Sequence, residues 1–209
     1  MTEALILAMQ NLEEEKVLRC VQELHAGGAD NIAIINTLNI GMVRVGKLFE
    51  TGSYYLADLI VSGTIYRQAL DLIESRNHRP PGQTRGRILI GVVKNDIHDI
   101  GKDIIVGTLL AEGFDVIDLG VDVACEDFIQ AVSEHKPDIL ALSGTMSYAI
   151  DEMERIIKVL DEKKARPGLA VIIGGGCANK HNALRIGADF YSKDPIEALT
   201  ICKELLESC

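Results

Sequence analysis

Positive charge is in short supply: 21 Lys and Arg stand against 31 Asp and Glu, a formal charge of −10 over 209 residues. No local patch reverses that balance, which argues against nucleic acid and anionic membranes as partners, since both require clustered basic side chains. The opening residues Met1-Thr2-Glu3-Ala4-Leu5-Ile6 contain no basic leader segment. No apolar stretch approaches the roughly 20 residues that cross a bilayer. Cysteine is odd in number (Cys20, Cys125, Cys177, Cys202, Cys209) and never closely paired, which suggests neither a disulfide framework nor a zinc knuckle. The expectation is a soluble, cytoplasmic protein with reduced thiols. The acidic run Glu13-Glu14-Glu15, followed by Lys16, reads as a solvated helix start. What is abundant is apolar: 47% of the residues are hydrophobic, enough to bury the core of one large domain or two small ones, and two are expected.

Over residues 1–76 the apolar positions recur at helical spacing: Leu5, Ile6, Met9 and Leu12, then Val17, Leu18, Val21 and Leu24. Gly27-Gly28 closes the second helix, and Asp30 or Asn31 caps a third carrying Ile32, Ile35, Leu38, Met42, Val45 and Phe49. After the break Thr51-Gly52-Ser53, a fourth helix carries Leu56, Leu59, Ile60, Ile65, Leu70 and Leu72. The expected N-terminal domain is a four-helix bundle. Residues 77–86 are polar and contain Pro80-Pro81, which sustain neither helix nor sheet, so they read as a linker.

From residue 87 to 209 the pattern changes to short β-branched apolar runs alternating with amphipathic helices, the sign of a parallel sheet covered on both faces. Strands are expected at 87–93, 114–119, 139–143, 170–173 and 190–191, with helices near 100–112, 124–135, 149–164, 178–186 and 195–208. This predicts an α/β domain with a flavodoxin-like, doubly wound, five-stranded parallel sheet, whose ligands sit beyond the carboxyl ends of the strands.

The informative residues fall at those ends. Strand one runs into Lys94-Asn95-Asp96-Ile97-His98-Asp99-Ile100-Gly101-Lys102, strand three into Ser143-Gly144-Thr145-Met146-Ser147, and strand four into Gly174-Gly175-Gly176. All three should meet at one crevice. A histidine after a strand is commonly a surface or capping residue, but Asp96 stands two residues before His98. There it can accept the hydrogen of one imidazole nitrogen and raise the donor strength of the other, as behind a metal-bound histidine. One histidine does not hold a free transition ion, which takes three or four protein ligands, so a pre-chelated metal is the better expectation. Gly144 and Gly174-Gly175-Gly176 fit either tight strand-to-helix turns or the close approach of a bulky ligand to backbone.

Asp96-x-His98-x-x-Gly101, with Ser143 and the later glycine pair, resembles the signature of cobalamin-binding domains that take the cofactor base-off and His-on. The resemblance implies that His98 is the lower ligand of cobalt and Asp96 its partner. It places Gly101, Ser143, Gly144, Gly174 and Gly175 along the slot for the nucleotide tail, with Asp99 and Ser147 beside the cofactor. The stretch from Gly46 to Leu56 is similar to the cap module of methionine synthase and of the corrinoid proteins of methylamine, methanol and methoxy-arene methyltransferase systems. By that similarity Phe49, Leu56, Leu59 and Ile60 cover the methyl-bearing face of the corrin; their spacing alone fits bundle core equally. One departure stands out. Where methionine synthase completes a His-Asp-Ser relay, the aligned residue here is Ala149, with Ser147 nearby.

The resemblance implies a methyl carrier rather than a complete enzyme, with cobalt cycling between methyl-cobalt(III) and cobalt(I) and methylcobalamin as the loaded cofactor. Its partners would be a substrate-specific methyltransferase, a second methyltransferase acting on a thiol or tetrahydrofolate, and a reductive activase. Methylamines, glycine betaine, methanol and methoxylated aromatics all remain open as donors. Two rivals share the His98 pattern: the cofactor subunit of an adenosylcobalamin mutase, and a cobalamin-dependent sensor. A receiver-like signalling domain is a third, disfavoured because Ser143 stands where a phosphorylatable Asp is required.

Overall fold

The computed structural model describes residues 1–74 and 85–207; residues 77–84 of the expected linker lie outside them. The chain divides into two compact units, Met1–Pro80 and Pro81–Cys209.

The first unit contains α1 (Thr2–Gln10), α2 (Glu14–Ala26), α3 (Asn31–Glu50) and α4 (Leu56–Glu74). Helix α1 packs on α3, and α2 on α4. Their core is built from Leu5, Met9, Val17, Val21, Ile34, Ile35, Leu38, Val45, Ile65 and Tyr66, each buried, the one-sided burial that spacing of three and four residues produces. Asp30 takes the N-cap position of α3 with extended backbone, but without a side-chain cap bond. By length and composition alone α3 is apolar enough to cross a membrane, which corrects the expectation that no stretch approached that length. Polar residues such as Asn36, Asn39 and Arg44 interrupt its apolar run without cancelling its average character. Its apolar face lies in the bundle core.

The second unit alternates β1 (Arg87–Val92), α5 (Ile100–Glu112), β2 (Asp115–Asp118), α6 (Cys125–His135), β3 (Ile139–Ser143), α7 (Ala149–Glu162), β4 (Ala170–Gly174), α8 (Lys180–Ile186), β5 (Phe190–Tyr191) and α9 (Pro195–Glu207). The strands form one parallel sheet in the order β2-β1-β3-β4-β5, the flavodoxin-like winding. Because strand side chains alternate in direction, Leu89, Leu140, Leu142, Val171 and Ile173 face α6, α7 and α8 in one core. Ile88, Ile139 and Ile172 face α5 and α9 in the other. Helix α8 begins two residues later than its spacing predicts because Asn179 caps it, its side chain accepting from the Asn182 amide. Helix α7 ends at Glu162 because Lys164 turns left-handed (φ 56°).

Phe128 on α6 is fully buried and lies where a side chain on Gly91 of β1 would stand: a Cβ there would come within 2.9 Å of its ring. Phe128→Ala should therefore lower the unfolding free energy of the second unit by about 3–5 kcal/mol, the range for emptying an aromatic site in a core, visible as a lower urea midpoint in the circular-dichroism transition.

Candidate functional site

The sheet order places its switch point between β1 and β3, where adjacent strands send their connections to opposite faces and leave a crevice at the carboxyl edge. Asp96 lies in the connection after β1 and is buried, with 1% of its surface exposed. One oxygen, Oδ2, accepts the backbone N–H groups of Thr145 (2.7 Å) and Met146 (3.2 Å). The other, Oδ1, accepts the backbone N–H of His98 (3.1 Å) and lies 2.6 Å from its Nδ1. Burial pushes the carboxyl pKa upward, but the Thr145, His98 and Met146 donors outweigh it and hold the group at about 2. At neutral pH Asp96 is thus an anion that can only accept, which makes Nδ1 the protonated nitrogen of the imidazole and leaves the Nε2 lone pair free. The His98 side chain is 55% exposed, so a ligand has access to it. Among the described residues no cluster of three or more His, Cys, Asp or Glu side chains is arranged for a metal ion.

The three expected loops do meet. The Thr145 and Met146 amides join the β3 connection to that of β1. The Gly144 N–H donates to the Gly174 carbonyl (3.1 Å), and the Cys177 thiol donates to the Gly144 carbonyl (2.9 Å), joining β3 to β4. Burial, the dominant influence, raises the Cys177 thiol to about 11, so it stays protonated. Gly175 is left-handed (φ 90°), and a Cβ on it would stand 2.3 Å from the Gly144 oxygen; one on Gly144 would stand 2.5 Å from the Ala149 Cβ. The protein's own packing therefore accounts for these two glycines. Gly101 and Gly174 differ: a Cβ at Gly101 would meet nothing within 4 Å, and at Gly174 only the Ser192 hydroxyl at 3.6 Å. Gly101 thus has open space beside it, whereas a side chain on Gly174 would reach ordinary contact with Ser192.

Ser143 is half-buried at the end of β3, and Asp99 is half-buried at the N-cap of α5. Ser147 is exposed, and Ala149 is fully buried against Gly144. Among the described residues Asp96 receives its hydrogen bonds from His98, Thr145 and Met146, so backbone amides occupy the oxygen to which a third relay side chain would bond. In the first unit, Phe49 (41% exposed), Leu56 (66%) and Ile60 (62%) lie on the surface and Leu59 is half-buried. The bundle core does not claim the first three.

The sequence reading missed four contributors. Backbone amides such as those of Thr145 and Met146 have no side-chain signature. Lys102, buried beneath the His98 turn at the start of α5, pairs with Asp118 at the end of β2 and with Asp103 (2.8 Å). Burial alone would lower its pKa, but the two carboxylates outweigh it and raise it. Asp122 and Tyr148 bond to the turn's backbone; Asn95, a residue type at ease in left-handed turns, was the one available hint.

The depressed Asp96 pKa fixes a sign. Its contribution to stability is present above its ordinary value of 3.8 and is lost as pH falls from there towards about 2. Acid titration followed by circular dichroism should show a loss of stability across that window that is absent in Asp96→Asn.

Two protein-family models match the chain, each described as a B12 binding domain: one over residues 86–200, the other over residues 1–74. Dimethylamine corrinoid protein 3 of Methanosarcina acetivorans is 33% identical over 199 residues, covering 95% of this chain and 93% of that protein. Among solved structures, the monomethylamine corrinoid protein of Methanosarcina barkeri superposes with a TM-score of 0.76 at 28% identity, covering 96% of both chains. A chain of the methanol:cobalamin methyltransferase complex of the same organism superposes at 0.58 with 25% identity, covering all of this chain and 80% of that one. Sequence and fold agree over nearly the whole length: this chain belongs to the B12-binding family of corrinoid proteins.

Proposed function

We propose that the chain is a methyl carrier: it holds a corrinoid base-off, with His98 Nε2 as the lower cobalt ligand, and shuttles a methyl group between two methyltransferases. The observation that carries this reading is the Asp96–His98 pair, a buried anion 2.6 Å from Nδ1 that orients an exposed imidazole with Nε2 free. One histidine suffices only for a metal that brings its other ligands with it, as corrin-bound cobalt does. When bound, the corrinoid supplies a cobalt centre that accepts a methyl group from one partner and gives it to the next.

The protein's part is to bind, release and shield. His98 ligates through Nε2 with Asp96 holding its Nδ1 proton. The Thr145 and Met146 amides occupy the far oxygen of Asp96, where a third relay side chain would otherwise bond, and position 149 holds a buried alanine. Gly101 and Gly174, with the backbone of Ser143, Gly144 and Gly175, line the slot for the cofactor's tail, and Asp99 and Ser147 flank it. Phe49, Leu56, Leu59 and Ile60 would shield a bound corrinoid from water; the exposure of three of them supports a ligand-facing surface rather than core.

The methanol:cobalamin methyltransferase complex, one chain of which shares this fold, supports methyltransferase partners. The relatives' names differ among dimethylamine, monomethylamine and methanol, which fits donor specificity residing in a partner. The second methyltransferase acts on a thiol or tetrahydrofolate, and a reductive activase restores the cobalt after oxidation. A cytoplasmic setting suits the free, buried thiols of Cys20, Cys125, Cys177 and Cys202. The mutase and sensor readings are not favoured, since the chain matches dimethylamine corrinoid protein 3 over 93% of that protein's length.

Reconstitution with hydroxocobalamin tests the central assignment. Wild-type protein should show the visible spectrum of imidazole-ligated cobalt and His98→Ala that of water-ligated cobalt; identical spectra would sink the reading. The cap assignment has its own test. Leu56→Asp should leave the thermal midpoint of the apoprotein within the scatter of surface substitutions, about 0.5 kcal/mol, while speeding oxidation of the reduced cofactor in the loaded protein several-fold by admitting water.

A further inference from the structure

The turn that carries Asp96 and His98 begins at Asn95, whose backbone is left-handed (φ 65°). Asn tolerates that conformation better than most residues, and several hydrogen bonds hold it there. The Asn95 N–H donates to Asp122 Oδ1 (2.8 Å), and its carbonyl accepts the Tyr148 hydroxyl (2.8 Å). The next carbonyl, that of Asp96, accepts the Asp122 N–H (3.1 Å). The Lys94 ammonium stands 3.0 Å from the same Asp122 carboxylate. Asp122 is itself left-handed (φ 55°) and is anchored by Val123, whose N–H donates to the Val92 carbonyl (3.0 Å) and which bridges to Val93. The turn is thus gripped from the β2–α6 connection on one side and from the N-terminus of α7 on the other. Among the described residues the His98 backbone N–H and Nδ1 donate to Asp96 alone, so the backbone that places Asp96 also sets the imidazole.

We infer that Asp122 and Tyr148 are positioning residues for the cobalt ligand: by clamping Asn95 in its left-handed turn they fix Asp96, and through it the orientation in which His98 presents Nε2. The inference rests on the assignment of His98 as lower ligand. It predicts that weakening the clamp leaves corrinoid bound while making His98 easier to displace, because a turn freed to relax no longer presents the imidazole at no conformational cost. Asp122→Asn keeps an acceptor oxygen for the Asn95 amide and should behave nearly as wild type.

The experiment uses the full chain loaded with cyanocobalamin and titrated with cyanide, which gives the dicyano absorbance only on displacing the lower ligand. The cyanide concentration at half-conversion should fall roughly fivefold in Tyr148→Phe, the weight of one hydrogen bond, and about tenfold in Asp122→Ala. It should stay within about twofold in Asp122→Asn, the side chain of which replaces one lost charge pair at the surface. Thermal midpoints of the apoproteins run alongside. Should Asp122→Ala fail to fold, Tyr148→Phe decides, since it removes only a hydroxyl. Wild-type half-conversion in Tyr148→Phe and in every folded Asp122 variant, with or without a lowered thermal midpoint, would overturn the clamp. His98→Ala separates the two levels: if it titrates like wild type, the ligand assignment itself fails and the clamp falls with it.

Discussion

The carboxylate of Asp96 is an anion taken out of water and compensated by fixed dipoles, and the arrangement of the second unit's carboxyl edge follows from that compensation. Burying an unpaired carboxylate is prohibitive, so two backbone N–H groups from the β3 connection, with the N–H and the imidazole of His98, must all converge on it. Convergence at that point requires β1 and β3 to be neighbours, the β3 connection to lie close against the sheet edge, and the β1 connection to turn sharply at Asn95. Gly144 and Gly175 serve the second requirement, since a side chain on either would drive the β3 and β4 connections apart.

The sheet winding meets the first requirement and leaves the crevice free. With β1 and β3 adjacent and their helices on opposite faces, no helix covers the point where the two connections separate. The apolar alternation that drives the winding is independent of the site: Leu89, Leu140 and Val171 would bury one sheet face whatever stood at position 98. The core and the Asp96–His98 pair thus draw on different residues near the same strands, which lets the site keep an exposed imidazole without cost to the core.

The first unit shows a similar division. Helix α3 buries Ile34, Ile35, Leu38 and Val45, while helix α4 exposes Leu56 and Ile60 near its start and buries Ile65, Ala69 and Ile73 further on. An apolar side chain left in water forgoes about 1.5–3 kcal/mol of burial. Leu56 and Ile60 therefore add little to the folding of the bundle and leave an apolar surface at the start of α4.

By itself the sequence determined the elements and the pairing of Asp96 with His98. Strands of β-branched residues and helices of three- and four-residue spacing are local patterns, and Asp96 and His98 stand two residues apart, within reach of one another in almost any turn. Tertiary structure decided what depends on chain segments distant in sequence. Whether Phe49, Leu56 and Ile60 were core or surface could not follow from a periodicity that both share. The glycines likewise read the same in sequence, yet Gly144 and Gly175 answer to packing, whereas Gly101 has open space beside it. The donors that close Asp96 are backbone amides 49 and 50 residues away, and an amide is the same in every residue but proline. Only the fold, by bringing the end of β3 against the turn after β1, gives those amides their role.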